Sequence, residues 1–586
     1  MRLASAQEIR KWEQGVMEDG LLTAAALMET AGRALAEAVL RYAGGLPLDG
    51  PFMERLLGSS TPTALLLGSS TPTARSDGDG VAASCRPHAG AAQHGTRKPK
   101  PWAILVGKGR NGGDGLAAAR HLAVAGIEVL AVLAAPPDGL QGEALRQHRL
   151  AERAGVRSIH YRPGELDWSR FGGIVDALLG TGSSGSAPRE PLASLIREAN
   201  GSGLPILAAD LPSGVDPDTG AAAEPAIRAA ATITFGLPKR GLAQHPGAEL
   251  AGEVLVAPLG IALEPANSTD GDAFEQEGGD TARSSREATS ESGSAARPVF
   301  LLRPETLRER LSAEPLDRRA ADSHKGTYGH VLVAAGTKLM SGAGLLSASA
   351  ALRAGAGLVT WALPAGVASA AIGLRPELML AAVPDGGSGD WSDSSPEELA
   401  ALAEGKDALV LGPGIGRLPG GWLRRLWERL PPRLPLVLDA DALNHLAAED
   451  FTAWPRREGG VVLTPHPGEM ARLANRPTAD VQRDRIGSAM AYADGHGAVV
   501  VLKGARTVIA APLGAAYVNP TGNAGMATGG TGDVLAGIIG SLLAQGRPAI
   551  EAAAIGVWRH GAAGDRAAAS RPSPASLIAG DVIEHL

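Results

Sequence analysis

Short β-branched or leucine-rich runs, each closed by a glycine-rich turn and followed by an alanine-rich stretch of helical period, recur along the chain. The first set reads AILV (103–106), VLAVLA (129–134), IVDAL (174–178), ILAAD (206–210) and TITFG (232–236). The second reads VLVAAG (331–336), LVTWAL (358–363), ALVLG (408–412), LVLDAD (436–441), VVLTP (461–465) and VVVLKG (499–504). Strand and helix signals that alternate in this way predict an α/β protein. Near-continuous apolar strands predict parallel sheets covered on both faces, with ligands at the carboxyl ends of the strands.

Two tracts interrupt the pattern. Around residues 52–100, LLGSSTPTA occurs twice, at 56–64 and 66–74, in a Gly-, Ser-, Thr-, Pro- and Ala-rich stretch. We expect a flexible insertion there. Residues 262–297 hold eight acidic residues against three arginines, the composition of a solvated acidic linker. An N-terminal unit of 1–261 and a C-terminal unit of 298–586 remain.

The whole chain of 586 residues carries 55 Lys and Arg against 62 Asp and Glu, a formal charge of −7. Most of that acidity lies in the linker, and no basic surface for nucleic acid is advertised. The single cysteine, Cys85, rules out an intramolecular disulfide and agrees with a reducing compartment. No apolar run reaches the ~20 residues of a membrane span, and charge appears too early at the N-terminus for a signal peptide. We expect a cytoplasmic homo-oligomer with no nucleic-acid or membrane partner.

The candidate chemistry lies after the strands. AILV runs into Gly107-Lys108-Gly109-Arg110-Asn111-Gly112-Gly113-Asp114-Gly115 and then a helical pattern. Glycines there let backbone N–H groups approach a phosphate at a helix start. The loop lacks the Lys-Ser/Thr ending of a nucleotide-triphosphatase P-loop. IVDAL ends at Asp176 before a second Gly and Ser loop, and ILAAD leads to Asp210 and Ser213. Asn111, Asp176 and Ser213 all carry oxygen donors suited to a hard cation, although each alone also reads as a turn or cap residue.

In the second unit the loop NPTGNAGMATGGTGD (519–533) runs straight into the helix VLAGIIGSLLAQG. Backbone amides at such a helix start can hold an anion while Asp533 takes a proton, an arrangement suited to phosphoryl transfer.

GKGRNGGDG, DALLGTG and DLPSGVDPDTG resemble the signature loops of the NAD(P)H-hydrate epimerases, the YjeF N-terminal domain. HKG, SGAG, GPGIG, LDADALN, TPHPGEM, KGART and NAGMATGGTGD resemble the ribokinase-like, ADP-dependent NAD(P)H-hydrate dehydratases. The resemblance implies two three-layer αβα domains, the first Rossmann-like, the second ribokinase-like.

For the first domain it implies potassium on Asn111, Asp176 and Ser213. It implies substrate contacts from Asn111, Gly112, Gly113, Asp114, Gly180, Thr181, Gly182, Ser183, Ser184, Gly185, Ser186 and Asp210, with Asp210 moving the proton. The family pattern has Asn where this chain has Arg110.

For the second domain it implies hydrate contacts from Ala343, Gly414, Gly416, His466 and Asp533, the last catalytic. ADP, the co-substrate, would meet Lys503, Gly504, Ala505, Arg506, Thr507 and Gly532, with Mg²⁺ organised by Glu469 through water. The activity implied is epimerisation of R and S NAD(P)H hydrate, with dehydration of the S form as ADP becomes AMP and phosphate. Two other readings stay open on the residues: a small-molecule kinase in the second domain, and a binding module in the first.

Overall fold

The computed structural model describes residues 1–46, 48, 99–182, 186–260, 297–316 and 318–586. The repeated LLGSSTPTA blocks, Cys85 and nearly all of the acidic tract lie outside the described residues, as do Ser183, Ser184 and Gly185. No helix of the described residues is long and apolar enough to cross a membrane.

Every apolar run singled out above forms a strand, assembled into two sheets. The first sheet has seven strands, in spatial order Arg157–His160, Val129–Leu133, Trp102–Val106, Gly173–Ala177, Ile206–Ala209, Ala231–Phe235 and Glu253–Ala257. All its pairings are parallel. Chain order reverses between Trp102–Val106 and Gly173–Ala177, and the crevice above that point is where a ligand belongs. The helices Ala24–Ala43 and Arg110–Val124 cover one face, and Leu192–Gly201 the other, each over its own core.

The second sheet has eleven strands. Its parallel centre, from Met379–Val383 to Val499–Leu502, is covered on one face by Ser341–Arg353, Thr531–Ala544 and Ala549–Ala569. The sheet is not purely parallel. Val508–Ala510 and Ala516–Val518 add two antiparallel strands, whose three-residue lengths leave no usable alternation in the sequence.

The two units are not cored separately. Arg2–Leu3 leaves the first unit and pairs antiparallel with Val299–Leu301, the penultimate strand of the second sheet. Leu3, Leu211, Leu242, Ala251 and Val254 join the same apolar cluster as Leu301, Val508 and Val518. Arg297 closes the contact by pairing with Asp494 at 2.7 Å and giving its carbonyl to Arg240 at 3.0 Å.

Candidate active sites

In the first unit, Gly107 leaves its strand so close to the next one that a Cβ would lie 1.8 Å from the carbonyl oxygen of Leu178. Gly112, in the first turn of Arg110–Val124, has the same relation to the Gly107 carbonyl oxygen, at 1.9 Å. Side chains at either position would push the loop off the sheet and close the space above it. That space is a cavity of about 850 Å³.

Asn111, Asp114, Gly180, Thr181, Gly182, Ser186 and Asp210 line it as the sequence suggests. Gly112 and Gly113 do not. Both are buried as packing glycines, Gly113 against the sulfur of Met28, where a Cβ would sit at 2.5 Å. The loop needs their missing side chains, so the signal that marked them was steric.

Beneath the floor, Asp176 is fully buried and accepts from the Ser213 backbone N–H and hydroxyl, both at 2.7 Å. The Ser213 Oγ in turn accepts from the N–H of Leu179 at 2.9 Å, and Asn111 Nδ2 donates to the Leu179 carbonyl at 2.8 Å. Asn111 Oδ1 is buried without a partner. Burial pushes Asp176 up to about 6. Asn111 and Ser213 thus meet at Leu179, and Ser213 at Asp176, with an orphaned amide oxygen and a buried acid among them, an all-oxygen set that suits a hard cation.

Asp210 has a left-handed backbone, φ +66°, a strained conformation for a residue with a Cβ. Its Oδ1 accepts from the ammonium of Lys239, and from the N–H of Phe235 at 3.2 Å. Lys239 was not legible as a site residue, although it follows the strand end TITFG. Glu13, from Ala6–Glu18, also faces the cavity and pairs with Arg110 at 2.9 Å. That contact occupies the position where the family pattern has Asn. Burial, then the charge of Asp210, raises Glu13. The same two causes, joined by Glu13, hold Asp114 well above the usual carboxylate range. Arg10, Lys108, Arg110 and Arg189 bring positive charge to the cavity, the complement of a pyrophosphate.

In the second unit, successive strand ends carry Asp439, Thr464 and Lys503. Lys503 Nζ is 2.5 Å from Asp439 Oδ1 and 3.8 Å from Glu469 Oε2. Thr464 Oγ1 donates to the same Asp439 oxygen at 2.7 Å, while Asp439 Oδ2 is buried without a partner. Burial pulls the Lys503 ammonium down, but Asp439 and Glu469 outweigh it and the net shift is upward. Lys503, expected on the nucleotide alone, is thus also the cation that binds this acidic cluster.

Gly530, at φ +92°, starts the helix Thr531–Ala544. A Cβ on Gly532 would stand 3.3 Å from Lys503 Nζ. Asp533 follows in the first turn, pushed up to about 7 by burial and then by the charge of Asp439. His560, also missed, lies beside the Thr531 backbone, and burial drops it to about 4.

Ala343 and Gly414 meet, a Cβ on the glycine lying 3.1 Å from the alanine methyl. The Gly416 N–H donates to Asp441 Oδ2 at 2.9 Å. Gly504, Ala505, Arg506 and Thr507 form an open turn in which Thr507 Oγ1 donates to the Gly504 carbonyl at 2.9 Å. The Asn519 N–H ties that turn to the long loop by donating to the Thr507 carbonyl at 2.9 Å.

His466 is engaged locally. Its Nδ1 accepts from the N–H groups of Gly468 and Glu469, at 3.0 and 3.3 Å, as the cap of Pro467–Leu473. Only its Nε2 is left for a ligand, and that nitrogen lies 3.4 Å from Glu469 Oε1.

Residues 24–241 match the family model described as YjeF-related protein N-terminus, and residues 331–584 the model described as NAD(P)H-hydrate dehydratase. A bifunctional NAD(P)H-hydrate repair enzyme of Moorella thermoacetica is 41% identical over 82% of this chain and 86% of its own length. One from Escherichia coli is 35% identical over 87% of each. Among solved structures, an ADP/ATP-dependent NAD(P)H-hydrate dehydratase of Bacillus subtilis is 32% identical, covers 49% of this chain and 96% of its own, and has a TM-score of 0.41.

Proposed function

Since the chain belongs to the bifunctional NAD(P)H-hydrate repair enzymes, an epimerase fused to a dehydratase, we propose that its two sites divide the repair of hydrated nicotinamide as follows. Residues 1–261 epimerise the hydrate in the 850 Å³ cavity, and residues 298–586 dehydrate the S form with ADP.

In the epimerase, Asp210 protonates the C6 hydroxyl as the C6–O bond breaks, and the ring nitrogen lone pair holds C6 as an iminium. Water then adds to the opposite face, and the proton it releases returns through solvent to restore the Asp210 carboxyl. The cationic rim and the amides of the Gly107 loop receive the pyrophosphate. Asn111, Asp176 and Ser213 would hold potassium, which would supply positive charge below the substrate.

In the dehydratase, Asp533 takes the proton of the C6 hydroxyl as that oxygen attacks the β-phosphorus of ADP and AMP leaves. The ring nitrogen then expels phosphate from C6, and loss of the C5 proton restores the double bond. Amides at the start of Thr531–Ala544 stabilise the moving charge. Glu469, buried beside Lys503, would orient magnesium-bound water, and Mg²⁺ would neutralise the diphosphate. The single cysteine supports a cytoplasmic setting.

The observation that carries this reading is the pair of separate carboxylates, Asp210 on the wall of the first cavity and Asp533 within electrostatic reach of Lys503. The test is incubation of mixed R and S hydrate with and without ADP, following reduced-nicotinamide absorbance and the epimer ratio. With ADP, all hydrate should return to NAD(P)H; without it, only the epimer ratio should move. Recovery that stops when the S form is consumed would remove the epimerase, and recovery without ADP would remove phosphoryl transfer.

A further inference from the structure

Lys239 is one of the largest fully buried side chains in the molecule, 1% exposed, and it sits on the wall of the epimerase cavity. An ammonium has three protons, and here all three have acceptors: Asp210 Oδ1, Thr234 Oγ1 at 3.1 Å and the Phe235 carbonyl at 2.9 Å. No proton is left for a substrate. The Phe235 N–H and Thr234 hydroxyl also converge on Asp210 Oδ1, at 3.2 and 3.4 Å. Asp210 is therefore held by one oxygen, and Oδ2 remains for a ligand in the cavity.

The lysine is itself held from outside its own sheet. Its backbone bridges to Ala4, whose N–H donates to the Pro238 carbonyl at 2.9 Å and whose carbonyl accepts from Arg240 at 3.0 Å. One residue earlier, Leu3 pairs with Val299 in the dehydratase sheet. A buried ion pair gives little net stability, so this much anchoring calls for another role.

We propose that Lys239 is the positioning residue of the epimerase: it fixes Oδ1 of Asp210 and so keeps Oδ2 aimed into the cavity, with the N-terminal strand holding the lysine in place. The proposal rests on Asp210 as the epimerase acid–base group. It predicts that Lys239 acts only through Asp210. Nothing in the sequence pattern marks this pairing, because the two residues are joined by side-chain contact across neighbouring strand ends.

The test is a double-mutant cycle on the full-length protein, with dehydratase rate measured in every sample as the control for folding. Lys239→Met should lower the epimerase kcat about 10²-fold and leave KM within about threefold, since the rim and the glycine loop that bind the substrate are untouched. Lys239→Arg, which restores the charge, should recover at least about tenfold over Met; a residue that only fills space would favour Met. In the Asp210→Asn background, Lys239→Met should cost less than about threefold more. This last comparison stands even if K239M alone fails to fold, because removing both charges leaves no unpaired carboxylate. A wild-type kcat in K239M, or a further tenfold loss on adding K239M to D210N, would overturn the proposal. Wild-type epimerisation by D210N would instead overturn the Asp210 reading beneath it.

Discussion

Leu3 pairs with Val299 across a junction that the chain itself reaches only after nearly three hundred residues, and both are fully buried. The first strand of the epimerase half thus completes the sheet of the dehydratase half. Leu3→Ala should cost about 2–5 kcal/mol, the usual range for a buried leucine. Because the core is continuous across the junction, thermal inactivation of this variant should take both activities at one lowered temperature. Loss of epimerase alone, with the dehydratase melting as in wild type, would show that the halves unfold independently.

Gly112→Ala should remove epimerisation by at least about 10²-fold, through the 1.9 Å approach of its Cβ to the Gly107 carbonyl. The dehydratase should keep its rate, since that loop touches none of the second site. Comparing kcat/KM of the two reactions in one preparation checks it. An epimerase within threefold of wild type would mean that the loop can move without losing its substrate.

What was legible followed from burial. Strands covered on both faces are continuous apolar runs, and each such run folds as read. Of the edge strands, Arg157–His160 (RSIH) carries no such run, and Met379–Val383 (MLAAV) is apolar but mostly not buried. Arg2–Leu3 was out of reach for another reason: two residues have no period, and their partner lies beyond the acidic tract. Glycine motifs marked the loops that line both candidate sites, because close backbone approach demands glycine. Glu13 and Lys239 escaped because their importance arises from which strand ends and helices the fold brings together. His466 showed the converse, a motif residue largely occupied in capping its own helix.

Asn111 Oδ1, buried and unpartnered, makes the proposed potassium site testable. Replacing K⁺ by the smaller Na⁺ at constant ionic strength should slow epimerisation, because oxygens fixed at strand ends cannot all contract around it. Asp176→Ala should abolish the K⁺ response and leave dehydration near normal. Equal epimerase rates in K⁺, Na⁺ and an organic cation would return these residues to turn and cap roles.

Asp533 gives the dehydratase its own pH signature. With its carboxyl pushed up to about 7, by burial first and then by Asp439, the ionised base is the minor form below that pH. Dehydratase kcat/KM should rise with pH and level off above about 8. Asp533→Asn should remove 10²- to 10⁴-fold of dehydration, about the loss of a general base, and spare epimerisation.

The same residue can be followed without activity. A carboxyl whose folded pKa lies above its unfolded value costs stability once the unfolded chain has ionised, and the cost grows until the folded pKa is passed. Asp533→Asn should therefore raise Tm by an amount that increases from about pH 4 to 7 and then stays constant. A variant with unchanged Tm across that window and a wild-type pH–rate limb would show that another group supplies the base.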